Sequence, residues 1–172
     1  MNSPSKTRGR LGGSKTARQR LVKELEKKNI WVLDDCLYRD ISFVEHHEPL
    51  YKFGKNVITI DAISKNFACT GLRVGWLQAP PEITPQLIAV HQAIATTAPT
   101  PSQEAAKACL DLRKGNYLSE VRPLYKARAD AAVSALKAEP RIKFSAPEGA
   151  SSVFADVPTF KPDTMHLAFS LA

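Results

Sequence analysis

The sequence predicts an α/β fold in which helices pack on a mostly parallel sheet. Short apolar runs alternate with helical patterns in the first half of the chain, and helical patterns dominate the second half. The chain has 172 residues, of which 44% are hydrophobic and 24% are charged, which is enough for one sizeable core. This composition excludes a collagen, a disordered tail and a disulfide-stapled miniprotein.

The first half of the chain supplies one helix and three strands. Ser14 is a candidate helix N-cap, and residues 14–28 place apolar side chains at helical spacing, which predicts an amphipathic helix. Residues 30–33 and 57–60 are short apolar runs, a pattern typical of strands that are buried on both faces of a parallel sheet. Residues 72–77 are the third strand candidate.

The second half, from Pro81 onward, is predicted to be mainly helical. Proline, threonine and glycine residues punctuate it and separate its helical patterns. We expect helices at 82–97, 101–113 and 116–138, short strands at 141–145 and 151–157, and a helix that begins at Asp163 and continues to the C-terminus.

The net charge of +7 is concentrated at the N-terminus, since residues 1–28 carry nine basic and two acidic residues. A basic patch attracts phosphates or nucleic acid, but a solvated helix face accounts for this charge more simply. We therefore do not expect nucleic acid as a partner. No apolar run is long enough to cross a membrane or to serve as a secretory signal, so we expect no membrane partner either.

The cysteine and histidine residues predict neither a disulfide framework nor a metal site. Cys36, Cys69 and Cys109 are odd in number and lack the CxxC spacing of zinc sites. Reduced thiols are typical of an intracellular protein, most simply a cytoplasmic one, although an organelle is also possible. His46 and His47 are adjacent and have no third ligand at a useful spacing, so we expect them in a solvent loop.

The most informative stretch runs from Ser64 to Trp76. In it Lys65 follows a predicted buried strand, and Arg73 lies eight residues further on. Open α/β sheets bind their ligands at the carboxyl ends of their strands, where a lysine amine can form a Schiff base and an arginine can hold a phosphate bidentately. Taken alone, such a lysine is more often an ordinary surface residue.

A second polar group follows the strand predicted near residue 32. The strand ends in Asp34 and Asp35, and Tyr38 lies three residues after the second of them. A carboxylate at the end of a sheet strand needs a cationic partner, and the protonated pyridine nitrogen of pyridoxal phosphate is such a partner. A tyrosine hydroxyl could donate to the phenolic oxygen of the same ring. A turn or helix-capping aspartate is the alternative for this motif by itself.

Together the two motifs resemble those of the pyridoxal-phosphate-dependent aminotransferases of class I and II, a fold-type-I family. The family pattern is Asp-x-x-Tyr, followed after an interval by Ser-Lys-x-Phe-x-x-x-Gly-x-Arg-x-Gly. This sequence fits the pattern at Asp35, Tyr38, Ser64, Lys65, Phe67, Gly71, Arg73 and Gly75.

The resemblance implies a role for each of five residues. Lys65 would be the Schiff-base lysine and the general acid/base of a transaminase. Asp35 would be the partner of the pyridinium nitrogen, Tyr38 would donate to the ring oxygen, and Arg73 would bind the phosphate. Ser64 is the further cofactor-binding candidate, and the implied cofactor is pyridoxal 5'-phosphate.

The likeness covers nearly the whole chain. Asn2–Ser5 and Gly9–Arg10 resemble an N-terminal turn of the family, and Pro147–Ala150, with the strand around Phe154, resembles the start of its small domain. Family members are longer enzymes. The resemblance therefore implies that this chain is a fragment that begins within the large domain and stops partway through the small α+β domain.

The domain assignment implied by the resemblance has two parts. Residues 1–118 would be the C-terminal part of the large cofactor-binding domain, with its mostly parallel sheet and helices. Residues 119–172 would be the interdomain helix and an incomplete small domain.

The sequence departs from the family pattern at Lys6 and Ala62, and Thr7-Arg8 replaces the family's Pro-Thr. Lys6 stands where the family has an asparagine that contacts the ring oxygen, and Ala62 stands where it usually has a phosphate-binding serine. Ser64 could replace that serine if its hydroxyl points the same way.

The resemblance implies an enzyme of amino-acid metabolism that transfers an amino group from an amino acid to a 2-oxo acid and is a homodimer when complete. The sequence does not indicate which amino acid is the substrate. Two alternatives remain. One is an inactive or degenerate remnant whose basic N-terminal segment mediates contacts, and the other is a different fold-type-I enzyme, such as a lyase.

Overall fold

The computed structural model describes residues 14–44 and 48–157. The first element is helix α1, Lys15–Lys27, and the Ser14 side chain caps it by accepting a hydrogen bond from the Ala17 amide at 3.2 Å. The amphipathic helix predicted for residues 14–28 is therefore confirmed. Val22 is the residue of this helix that becomes buried, and Leu21 beside it stays 55% exposed.

Three strands form one sheet in the order β1, β2, β3. These strands are β1, Val32–Asp35, β2, Val57–Ala62, and β3, Gly75–Gln78. Strands β1 and β2 are parallel, with Asp35 opposite Ile60, whereas β3 runs antiparallel to β2, with Gly75 opposite Ala62. The predicted parallel pairing is thus present, and an antiparallel strand is added at the edge of the sheet.

The third strand begins three residues later than the sequence suggests. Residues Thr70–Leu72 form a 3-10 turn, and Arg73 after them has a left-handed backbone with φ of 54°, so this part of the run cannot be extended. Gly75 then allows close pairing with β2. A Cβ atom at this position would lie 3.0 Å from the Asp61 carbonyl oxygen and 3.2 Å from the Ala62 Cβ.

The expectation that the first strand is buried on both faces is wrong. Leu33 is 64% exposed and Trp31 is 43% exposed, while Val32 and Asp34 are half-buried on the other face. The reason is that, within the described residues, only one face of β1 is covered, by the contacts of Val32 with Val22 and its neighbours. The apolar run correctly predicted a strand but not its partners.

The second half is helical, as predicted. The chain continues after β2 with the short helix α2, Ile63–Asn66, and after β3 with α3, Thr84–Ala95, α4, Thr100–Lys114, α5, Tyr117–Lys137, and the small antiparallel pair β4, Lys143–Phe144, and β5, Ala155–Asp156. The strands of this pair are shorter than the predicted ones. The N-terminal turn, His46, His47 and the helix predicted from Asp163 lie outside the described residues.

Two apolar clusters pack on the two ends of β2. At its start, Val22 of α1 packs with Phe53 and Val57. At its end, a cluster that contains Ile63 and Phe67 packs against α4, and the Phe67 ring stacks on Tyr117 with centroids 5.2 Å apart. The second cluster therefore anchors α2 between the sheet and the helices. The predicted division after residue 118 falls in the first turn of α5 and remains a prediction.

Candidate active site

The predicted site residues lie at one edge of the sheet. Because β1 and β2 are parallel, their carboxyl ends meet at this edge, and Asp35 is the last residue of β1. Lys65 lies in α2 directly after β2. Antiparallel β3 begins at the same edge, since Gly75 pairs with Ala62, and Arg73 lies just before it. This is the edge at which open α/β sheets bind ligands.

Helix α2 links the segments that carry the other candidates. It contacts the 3-10 turn Arg39–Ile41, which follows Tyr38 directly, and the turn Thr70–Leu72, which precedes Arg73. The structure therefore brings the three candidate-bearing segments together, with Ser64 and Lys65 on the central one.

Lys65 is half-buried, whereas its neighbours Ile63, Ser64 and Asn66 are buried. The part of the chain that the structure describes supplies no hydrogen bond or ion pair to the Lys65 Nζ. Most other lysines of the helices, such as Lys107 with Glu104, form ion pairs on the surface. The Lys65 amine thus keeps its full capacity to react with or donate to a bound molecule.

The two adjacent acids at the end of β1 point to opposite faces, because successive side chains of a strand alternate. Asp34 is half-buried, and its Oδ2 accepts a hydrogen bond from the Leu50 amide at 2.8 Å. Asp35 is exposed, and within the described residues it accepts only from the Leu37 amide, at 3.2 Å, in a local turn. Asp34 therefore holds a loop in place, and Asp35 is the carboxylate that is available to a ligand.

Tyr38 and Arg73 also retain unused donors. Tyr38 is half-buried, and its hydroxyl has no hydrogen bond within the described ranges. Arg73 is exposed, and its Nη1 donates to the Thr70 carbonyl at 3.0 Å. Its other N–H groups have no acceptor among the residues that the structure describes. A left-handed backbone costs a residue such as Arg73 about 1 kcal/mol. Backbone strain of this kind is commonly found at functional sites.

The departure at Ala62 is visible in the structure. Ala62 is 7% exposed, and its Cβ lies against the backbone of Gly75, so no hydroxyl is present where the family uses a serine. Ser64 is also buried, and its hydroxyl makes no hydrogen bond to any described residue. It is thus free to serve as a donor, two residues further along the chain.

These side chains fit pyridoxal phosphate by their chemistry. The cofactor offers an aldehyde, a phosphate, a pyridine nitrogen and a phenolic oxygen. The edge of the sheet offers in turn an amine, a guanidinium, a carboxylate and a phenol, each with unused hydrogen-bonding capacity. Lys65, Arg73, Asp35 and Tyr38 are the residues that would hold the four groups.

Four charged residues beside the site were not predicted from the sequence: two buried aspartates, Asp40 and Asp61, and two half-buried arginines, Arg39 and Arg113, which we call the charge cluster. Asp40 and Asp61 are 1% and 3% exposed. The Arg113 Nη2 donates to Asp40 at 2.8 Å, and the Arg39 Nη2 donates to Asp61 at 3.2 Å. Acidic residues at the ends of apolar runs were the available signal, since a buried carboxylate requires a cationic partner.

Burial dominates the electrostatics of two groups near the site. It raises the pKa of Asp61 above the ordinary aspartate value, although Arg39 and Arg113 act in the opposite direction. Burial and the nearby Asp34 carboxylate raise the pKa of the Cys36 thiol to about 12. Cys36 is therefore an unreactive core thiol at neutral pH.

The three cysteines, Cys36, Cys69 and Cys109, are free thiols. No group of three potential metal ligands occurs in residues 14–44 and 48–157. None of the described helices is both long and apolar enough to span a bilayer.

The sequence is similar to aminotransferases over most of its length. The family described as "Aminotransferase class I and II" matches residues 13–166. The aspartate aminotransferase of Rhizobium meliloti (strain 1021) is 28% identical over 160 residues, which are 90% of this chain and 39% of the relative. The aspartate aminotransferase of Pyrococcus horikoshii is 30% identical over 135 residues, or 77% of this chain and 34% of the relative.

The fold is similar to solved aminotransferase structures as well. The alpha-aminoadipate aminotransferase of Thermus thermophilus, complexed with N-(5'-phosphopyridoxyl)-L-leucine, matches with a TM-score of 0.77 and 26% identity, covering 84% of this chain and 39% of that chain. This likeness confirms the predicted α/β fold of a partial fold-type-I large domain. The chain spans about two-fifths of the length of such relatives. Since the family match covers most of the chain, the protein belongs to the class I and II aminotransferases.

Proposed function

We propose that this chain carries the lysine-bearing part of a pyridoxal-phosphate-dependent aminotransferase, which transfers an amino group between an amino acid and a 2-oxo acid. The observation that carries the proposal is the placement of Lys65 on α2, in contact with the turns next to Tyr38 and Arg73. Family membership supports it, because the relatives named above are transaminases.

Each residue has a task in this reaction. The Lys65 amine would hold the cofactor covalently and then move a proton to and from the α-carbon of the substrate. The Asp35 carboxylate would keep a proton on the pyridine nitrogen, and the Tyr38 hydroxyl would donate to the ring oxygen. Arg73 and Ser64 would bind the phosphate. Pyridoxal phosphate, when bound, supplies the electron sink that the amino acid side chains lack.

The substrates and the assembly are part of the proposal. The relatives are named for aspartate and alpha-aminoadipate, which supports amino acids and 2-oxo acids as the substrate class. A homodimer, as the resemblance implies, is the proposed assembly, and 1–118 and 119–172 are the proposed domain parts.

A second candidate function rests on Ala62. Without a hydroxyl at this buried position, the phosphate would have one donor fewer, and a degenerate protein that binds the cofactor weakly is the alternative. Loss of one hydrogen bond to a charged group weakens binding by about 1.5–3 kcal/mol. The substitution Ala62→Ser distinguishes the two candidates. It should tighten pyridoxal phosphate binding strongly in a degenerate protein, and only slightly if Ser64 already binds the phosphate.

Borohydride trapping tests the main proposal. The purified chain is incubated with pyridoxal phosphate, reduced with borohydride and digested, and the pyridoxyl label is located by mass spectrometry. We expect the label on the Lys65 peptide and its loss in Lys65→Ala. The matched control is Lys55→Ala, at an exposed lysine just before β2, which should label normally. A label found on Lys55 or Lys6 instead would contradict the assignment.

A further inference from the structure

We propose that Asp61 is a positioning residue that sets the place of Lys65 relative to the segment of Asp35 and Tyr38. The proposal rests on the proposed function, because it assigns Asp61 a role in the same site. It is carried by the contacts of one buried carboxylate with the two polypeptide segments that bear these residues.

The Oδ1 atom of Asp61 forms hydrogen bonds at both ends of helix α2. Oδ1 accepts a hydrogen bond from the Ala62 amide at 2.8 Å and another from the Asn66 Nδ2 at 3.5 Å. A helix of four residues is far too short to be stable by itself, so its position depends on such side-chain contacts and on the packing of Ile63. Lys65 lies in the sequence between these two hydrogen-bonded residues, Ala62 and Asn66.

The second oxygen reaches the other half of the site. Oδ2 accepts a hydrogen bond from the Arg39 Nη2 at 3.2 Å, and Arg39 is the residue directly after Tyr38. The Arg39 side chain is 15% exposed, so the pair is largely protected from water and from screening by salt. Asp61 therefore joins the loop after β1 to the helix after β2.

Asp61 is not needed to neutralise the charge of Arg113 in the neighbouring helix α4. Arg113 of α4 already donates to Asp40 at 2.8 Å and lies 3.9 Å from Asp61. Asp40 also holds α5, because its carbonyl oxygen accepts from the Arg122 Nε at 2.7 Å. The shortest ion pair of the Asp40 carboxylate is thus with Arg113 of α4, whereas that of the Asp61 carboxylate is with Arg39. The longer pairs, Arg39 with Asp40 at 3.8 Å and Arg113 with Asp61 at 3.9 Å, connect the two carboxylates within the charge cluster.

The burial of Asp61 argues against a purely stabilising role. Burial raises its pKa even in the presence of two arginines, which means that the fold disfavours the ionised carboxylate. A buried charge that does not stabilise the protein can instead specify one arrangement of the groups around it. Buried groups that lower the stability of the fold are expected at functional sites.

Asp61→Asn tests the proposal, with Asp40→Asn as the matched control. Both substitutions keep the side-chain shape, and both remove one buried charge from the charge cluster. Of the two carboxylates, only that of Asp61 makes side-chain hydrogen bonds at the ends of α2 within the described residues. Three quantities are measured on the 172-residue chain. The first is the rate at which acetic anhydride acetylates Lys65, relative to the rate for Lys107, as followed by peptide mass spectrometry. The other two are the dissociation constant of pyridoxal phosphate and the urea midpoint of unfolding.

We expect Asp61→Asn to change the relative acetylation rate of Lys65 severalfold and to weaken pyridoxal phosphate binding about tenfold. Asp40→Asn should leave both quantities within about twofold while lowering the urea midpoint at least as much. Equal effects of the two variants on Lys65, or no effect of either, would overturn the proposal. If Asp61→Asn does not fold, the double variant Arg39→Gln/Asp61→Asn, which removes both charges of the pair, replaces it and should change Lys65 in the same way.

The acetylation rate separates this inference from the proposed function, because it needs no cofactor. If no form of the protein binds pyridoxal phosphate but Asp61→Asn alone alters Lys65, the proposed function fails and the positioning role stands. If the unaltered protein binds the cofactor at Lys65 and Asp61→Asn changes neither binding nor acetylation, the proposed function stands and the positioning role is wrong.

Discussion

The two ends of strand β2 are held in place by different sets of contacts. At its start, Val57 packs with Val22 and Phe53 in an apolar cluster, and burial of apolar area is the stabilising term. At its end, Asp61 is buried among arginines and the helix that carries Lys65 follows at once. Apolar packing therefore stabilises both ends of the strand, but only the end at which the chemistry is proposed combines an apolar cluster, around Ile63, with costly buried polar groups.

The largest expected effect separates the two neighbouring acids at the end of β1. In a form of the protein that shows turnover, Asp35→Ala should reduce it at least about a hundredfold, because the pyridine nitrogen would lose the group that keeps it protonated. Asp34→Ala should mainly lower the unfolding free energy, since Asp34 accepts from the Leu50 amide. Turnover and urea unfolding are measured for both variants. The reverse pattern would show that the assignment of the two acids is shifted by one residue.

The next effect compares the two apolar clusters directly. Ile63 is 0% exposed and Val22 is 1% exposed, so Ile63→Ala should cost about 2–5 kcal/mol of unfolding free energy and Val22→Ala about 2 kcal/mol. Urea denaturation followed by circular dichroism measures both losses. Only Ile63→Ala should also alter the labelling of Lys65 by pyridoxal phosphate and borohydride. A similar change of labelling in Val22→Ala would show that the two ends of β2 are not independent.

The smallest effect is a pH dependence from Asp61. Its pKa in the folded state is raised above the ordinary value of 3.8. At any pH between the ordinary value and the folded-state pKa, the folded protein therefore binds more protons than the unfolded one. The contribution of Asp61 to the unfolding free energy is then most favourable below 3.8 and falls as the pH rises through the folded pKa. Unfolding free energies are measured across this window for the unaltered protein and Asp61→Asn. As the pH rises through this window, the unfolding free energy of Asp61→Asn should increase relative to that of the unaltered protein. A relative decrease would mean that the two arginines lower the pKa of Asp61 by more than burial raises it.

The sequence motifs predicted that the candidate residues lie close together better than they predicted the packing around them. The spacing from Asp35 to Tyr38 and from Ser64 to Arg73 is local information, and the structure places these residues at one sheet edge. Burial is not local information. Leu33 belongs to an apolar run and is nevertheless exposed, whereas Asp40 and Asp61 are charged and nevertheless buried.

By itself, the sequence determined α1, α3, α4 and α5, the strand that precedes Lys65 and the family of the protein, because periodicity, capping at Ser14 and motif spacing are properties of neighbouring residues. Only the tertiary structure decided that β3 runs antiparallel, that one face of β1 stays uncovered within the described residues, and that Arg39 and Arg113 meet two aspartates from distant parts of the chain. The physical reason is that ion pairs and strand partners form between residues far apart in sequence. Their free energy depends on the burial that the assembled fold creates.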